Sequence, residues 1–191
     1  MKVFFTASQC GQKFYDTLYK KIFAEITRLG HTHLYDKIIK VPYKKFYENL
    51  ESSGHTASVA LYQENIKHLK KADINVFECS LHSLSIGFLV QKSLEFHKPT
   101  VVLYLKENTP YFLTGIKDEK LIFAPYNNID EIPNAVSKAF EKAGALRDKR
   151  FNFFLSDEFL RYLEEASRRA GLNKSTFLRN LVLEHMEKNK R

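Results

Sequence analysis

Residues 74–105, INVFECSLHSLSIGFLVQKSLEFHKPTVVLYL, decide the fold. They open on a short apolar run at 74–79. The period then changes, and apolar positions recur at helical spacing over 84–97. Lys98-Pro99 stops that helix, because the ring of a proline pushes the preceding residue out of the helical region. The stretch closes on TVVLYL at 100–105, a continuous β-branched and aromatic run of the kind a strand buried on both faces requires. Strand, helix and strand in this order form a parallel crossover unit.

The same rhythm extends in both directions. Upstream, 2–6 reads as a strand. A helix over 12–29 follows, with Tyr15, Leu18, Tyr19, Ile22, Phe23 and Ile26 on one face and a stop at Gly30. A weak strand is predicted at 31–35. Residues 37–54, dense in Lys and Tyr and ending in Ser52-Ser53-Gly54, read as an irregular or mobile excursion. A helix over 56–71 runs through Val59, Tyr62, Ile66 and Leu69. Downstream, 120–124 reads as a strand and 133–143 as a helix with Pro133 in its first turn. The expected architecture over 1–145 is a flavodoxin- or Rossmann-like α/β domain, a parallel five-stranded sheet with helices on both faces. Ligands of such sheets sit beyond the carboxyl ends of the strands, which directs attention to the loops after Thr6 and Cys79.

The totals fit one ordinary domain plus a small appendage: 191 residues, 44% of them hydrophobic, with 16 Phe and 10 Tyr. The net charge of +8 favours polyanionic partners, and residues 147–191 hold eleven Lys or Arg against seven Asp or Glu. The two cysteines, Cys10 and Cys79, make no disulfide framework, so a reducing, cytoplasmic location is expected. No secretory leader is visible, and no apolar run approaches the roughly 20 residues of a membrane-spanning helix, so no membrane partner is expected. No cofactor or metal is expected either. The P-loop, GxGxxG, GxSxG and HExxH patterns are absent, and His31 and His33 lack an acidic or thiol partner at ligand spacing.

After a short linker the rhythm breaks at 146–191. Residues 151–155 read as a strand, 157–170 and 174–188 as helices. Ser156 and Asn173 suit N-caps, and Gly171 ends the first helix. One strand and two helices cannot bury their apolar stripes alone, and the strand has two open edges. Pairing with the same strand of a second chain answers both problems. The stretch RFNFFLSDEFLRYLEEASRRAGLNKSTFLRNLVLEHM, residues 150–186, resembles the ribbon-helix-helix repressors of the Arc- and Met-repressor-like superfamily. The resemblance implies a homodimer whose paired strands enter the major groove of DNA. On that reading Arg150, Asn152 and Phe154 face the groove, while Asn173, Lys174 and Ser175 hold phosphate at the start of the second helix.

VFFTASQCGQKFYDTLYKKI at 3–22 and YQENIKHLKKADINVFECSLHSLSIGFLVQKSLEFHKPTVVLYL at 62–105 resemble the nucleoside 2-deoxyribosyltransferases and the related deoxynucleotide N-hydrolases. Those enzymes break the bond between deoxyribose and base with a glutamate, an aspartate and a first-strand tyrosine. Carried over by position, the glutamate falls on Leu89, the aspartate on Asn65 and the tyrosine on Phe4, and a first-loop arginine falls near Cys10. Each reactive group is lost. Ser8, Gly11, Ser83 and Gly87 keep the binding pattern, so the resemblance implies a nucleoside or nucleotide pocket without its catalysts. The sequence reading is therefore a dimeric, DNA-binding, regulator-like protein with a degenerate N-glycosidase-like domain. The alternative is a working deoxyribosyltransferase or N-glycosidase with a relocated carboxylate (Glu64, Glu78 or Glu95) and a tail that serves oligomerisation.

Overall fold

The computed structural model describes residues 1–146 and 154–189. The chain divides into two compact units, Met1–Asp148 and Lys149–Arg191.

The first unit is an α/β sandwich built on five parallel strands: β1 (Lys2–Ala7), β2 (Thr32–His33), β3 (Ile74–Glu78), β4 (Thr100–Leu105) and β5 (Leu121–Tyr126), in the order β2-β1-β3-β4-β5. Strand alternation sorts side chains to the two faces. Val3, Phe5 and Ala7 of β1 and Ile74 and Val76 of β3 join one core with Tyr19, Ile22, Val136 and Phe140. These come from α1 (Gln12–Arg28) and α6 (Ile132–Ala145). Phe4, Phe77, Val102 and Tyr104 join the opposite core with Leu69, Leu89 and Val90, which come from α3 (Tyr43–Lys71) and α4 (Leu84–Glu95). Each large apolar side chain buried this way contributes about 1.5–3 kcal/mol. The direction of winding reverses between β1 and β3, so the loops leaving these two strands diverge from the middle of the sheet.

One expectation needs correction. Residues 37–54 are not irregular: they form α2 (Lys37–Lys40) and the first arm of α3. Pro42 precedes α3, where its fixed φ suits a helix start. Gly54, at φ 54° and ψ −137°, breaks α3 into arms at 43–53 and 55–71. Phe46 and Leu50 of one arm line a common hollow with Ala57 and Leu61 of the other. The lysines on the outer side of the first arm masked this spacing. The strand expected at 151–155 falls only partly within the described residues. Positions 151–153 lie outside the described residues, and Phe154 and Leu155 belong to no strand. Smaller differences are a β2 of only two residues and a β5 that runs on through Pro125, which an edge strand tolerates.

In the second unit, α7 (Asp157–Arg169) and α8 (Lys174–Lys188) pack on each other. The Phe159 amide donates to Ser156 Oγ at 3.3 Å and the Thr176 amide to Asn173 Oδ1 at 2.9 Å, so both caps form. Gly171 turns the chain between the helices at φ 67°. Leu163 of α7 is buried, whereas Leu181, Val182, Leu183 and Met186 of α8 are exposed.

Gly54 sits in a conformation essentially closed to residues with a Cβ. Gly54→Ala is expected to lower unfolding stability by about 1–3 kcal/mol in a urea titration, a strain cost typical of such positions. An unchanged midpoint would show that the break in α3 does not depend on glycine.

Candidate functional site

The carboxyl ends of β3 and β4 open into a cleft of about 850 Å³. Its first wall is one face of α4, where Leu84, Gly87, Phe88 and Gln91 follow at helical spacing. Its second wall is the short helix α5 (Tyr111–Thr114), entered through Pro110. Cys79 and Leu81 form the floor, and His82 and Ser83 stand where α4 begins. The lining is overwhelmingly apolar. Tyr111 and Phe112 are exposed at the rim.

The sequence-predicted pocket residues do not converge here as a set. Ser83 and Gly87 line the cleft. Phe4 and Leu89 lie behind it in the α3/α4 core. The Phe4 ring is fully buried, 5.4 Å from that of Tyr35 and 6.2 Å from that of Phe77. Asn65 turns back on its own helix, donating from Nδ2 to the Leu61 carbonyl at 2.8 Å. Ser8 and Gly11 stay in the turn after β1, where the Ser8 carbonyl accepts the Gly11 amide at 2.9 Å and the Tyr19 hydroxyl at 3.4 Å. Gly11 is required by packing: a Cβ there would overlap the Tyr19 hydroxyl. Sequence reading missed Phe88, Gln91 and the α5 aromatics. The signal was Tyr111-Phe112-Leu113, an apolar run set between Pro110 and Gly115 where a polar loop would be expected.

The three fallback carboxylates have different fates. Glu64 pairs with Lys37 at 2.5 Å and Glu95 with Lys92 at 2.6 Å, both at the surface. Glu78, the last residue of β3, is fully buried. Oε1 accepts the Ser80 amide at 3.1 Å, the Ser80 hydroxyl, and the Tyr126 hydroxyl at 2.9 Å. Oε2 has no partner among the described residues. Burial pushes the Glu78 carboxyl up to about 7, against the hydrogen bonds from Ser80 and Tyr126 that hold it down. Burial also raises the Tyr19 and Tyr126 hydroxyls far above the usual phenol range. Alternation along β3 sends Glu78 to the α1/α6 side of the sheet and Cys79 to the cleft side. The near-neutral carboxyl and the cleft therefore stand on opposite faces.

Of the residues expected to contact DNA, Arg150 and Asn152 lie outside the described residues. Phe154 is fully exposed. Asn173 caps α8, and the Lys174 ammonium is 2.5 Å from Glu164 across the turn. Among the described residues no cluster of His, Cys, Asp or Glu is placed to hold a metal, and no helix is long and apolar enough to cross a membrane.

Comparison with known proteins gives, among others, two likenesses. Over 138 residues the chain is 26% identical to a provisionally named 2'-deoxynucleoside 5'-phosphate N-hydrolase 1 of Thermofilum pendens, covering 69% of this chain and 89% of that protein. Its fold matches the CMP N-glycosidase BcmB of Clostridium botulinum with a TM-score of 0.51 at 11% identity, covering 72% of this chain and 99% of the other. At that identity the second likeness is one of fold. No family model matches the chain. The first unit is thus an α/β domain similar to N-glycosidic enzymes.

Two outcomes follow from this geometry. Glu78 is held neutral to about pH 7, whereas in the unfolded chain it ionises near 4.5, so its contribution is present in acid and lost as pH rises through that window. Glu78→Gln, which cannot ionise, is expected to gain about 3 kcal/mol relative to wild type between pH 4 and pH 8, read from paired denaturation curves; a pH-independent difference would mean that Glu78 is charged in the fold. Gly87 sits inside α4, and a Cβ added there would meet nothing within 4 Å. Gly87→Ala should therefore raise stability by about 0.5–1 kcal/mol, and a loss on thermal melting would reveal a packing constraint.

Proposed function

We propose that this chain is a dimeric DNA-binding protein whose α/β unit serves as a ligand-responsive platform without N-glycosidic chemistry. The observation that carries the reading is the bare apolar face of α8. Leu181, Val182 and Met186 are exposed along one side of a helix that buries none of its residues in a single chain. A second copy supplies the cover, and the pairing of two such units creates the ribbon that DNA reading needs. Capped α8 starts with Asn173, Lys174 and Ser175, an arrangement suited to phosphate. Because Lys174 is engaged by Glu164, the phosphate contact falls first on the first-turn amides and Ser175. Arg150 and Asn152 are assigned base reading, and the exposed Phe154 a contact with a thymine methyl.

The loss of catalysis is supported by the α3/α4 core. Phe4 and Leu89, which stand where the resembling enzymes place a tyrosine and a glutamate, are both packed in apolar surroundings. A second reading, cleavage of deoxynucleotides, draws on the names of the two similar proteins and on Glu78 as the remaining near-neutral carboxyl. Its burial on the face away from the cleft argues against that role.

Fluorescence anisotropy with genomic fragments tests the DNA reading. Wild type is expected to select a subset of fragments, and Arg150→Ala to weaken the best of them by about 1–3 kcal/mol. Leu181→Ser/Met186→Ser should yield monomers in light scattering and lose DNA binding with them. Equal, weak binding to all fragments by wild type and variant would end the proposal. Release of free base from a deoxynucleotide panel, abolished by Glu78→Gln, would establish the second reading instead.

A further inference from the structure

We infer that the cleft between α4 and α5 binds an uncharged, planar, largely apolar small molecule whose one polar edge accepts hydrogen bonds at the start of α4. This deepens the platform reading of the α/β unit and takes nothing from the DNA reading. A failure to bind DNA leaves it standing.

Three observations converge on it. The first is size and lining. About 850 Å³ lies within the range of small-molecule sites, which are mostly apolar with a few placed polar groups. No Lys, Arg, Asp or Glu lines it among the described residues. Lys92 lies 5.6 Å from the Phe88 ring, but its ammonium is committed to Glu95 at 2.6 Å. His82 is the one nitrogen base on the lining, and without a Lys or Arg beside it a phosphate placed here would find no permanent cation, so the ligand is uncharged.

The second is Gly87. A glycine inside a helix weakens it, and this one has neither a left-handed φ nor a crowded Cβ to require it. What its missing side chain provides is open space on the cleft wall, between Leu84 and Phe88. Fold stability gives no reason for that space; occupancy by a ligand does.

The third is the rim. Leu84 and Phe112 are each 93% exposed, with Tyr111 beside them. Apolar side chains gathered around a concavity mark a binding surface, unlike single exposed ones. The aromatic rings favour a flat partner that can stack. Ser83 makes no side-chain cap on α4, so the first-turn amides there are open to an acceptor such as a carbonyl or ring nitrogen. Gln91 offers a further polar contact on the same wall.

Nile red, an uncharged planar dye that brightens in apolar surroundings, is the probe. The full-length protein is expected to bind it saturably, one per chain. Gly87→Leu, which fills the wall, should weaken binding roughly tenfold or more. Phe112→Asp, a change at a fully solvated rim position, should also weaken it while leaving the circular dichroism and melting curve unchanged. Leu181→Ser/Met186→Ser should keep the affinity, and millimolar deoxyadenosine monophosphate should not displace the dye. The inference is overturned if the dye fails to bind, if Gly87→Leu and Phe112→Asp bind it like wild type, or if the α8 variant is the one that loses it. Displacement by the nucleotide would overturn the uncharged class. So would a cleft closed by a second copy, seen as a dimer that Phe112→Asp dissociates.

Discussion

Everything in the first unit depends on β3 being hydrogen-bonded along both edges and covered on both faces. It lies between β1 and β4, and its five residues are all buried. Such a strand has no solvated side on which to place a polar group. The one carboxylate it carries must therefore be neutral or fully solvated by protein donors, and Glu78 approaches that condition with Ser80 and Tyr126 around it. One residue further, the chain emerges on the other face at Cys79 and begins the cleft. The separation of a buried acidic centre from an apolar recess follows from a period of two.

That separation bears on what the unit does. In a sheet of this winding the recess beyond β3 is where a ligand is expected, and the similar proteins are N-glycosidic enzymes by name. Chemistry at a glycosidic bond needs a carboxylate that reaches the anomeric carbon. Here the polar groups adjoining the recess are a thiol, a serine, a histidine and a glutamine, set among apolar side chains and aromatic rings, with no carboxylate. Two of the substitutions noted in the sequence, at Phe4 and Leu89, are absorbed by the core.

Legibility in the sequence followed the strength of the local signal. TVVLYL gave β4 to the residue, because an uninterrupted β-branched run between a proline and a charged residue has one reading. The 174–188 helix was equally plain, since Asn173 and Gly171 mark its start with chemistry as well as pattern. Residues 37–54 failed because helical periodicity there is carried by Phe46 and Leu50 amid lysines and tyrosines. Those two residues line one hollow with Ala57 and Leu61 of the other arm of the same helix, a juxtaposition that local spacing does not reveal. The site was half legible. Ser83 and Gly87 came from the resemblance to the N-hydrolases, but the α5 wall was out of its reach, because Tyr111 and Phe112 lie far from α4 in sequence and only the sheet brings them opposite it.

Ser80 has a second bond that widens its meaning. Its hydroxyl accepts the Leu105 amide at 2.8 Å while donating to Glu78, so a side chain supplies the rung past the last backbone pairing of β3 and β4. With Tyr126 at the end of β5 bonded to the same carboxylate, three strand ends are stitched into one rim. Loops that depart from a stitched rim can be rewritten without unpicking the sheet. The separation of a fixed border from interchangeable loops makes this scaffold evolvable: the lining of the cleft can change in residues 81–84 and 110–116 while the fold stays where it is.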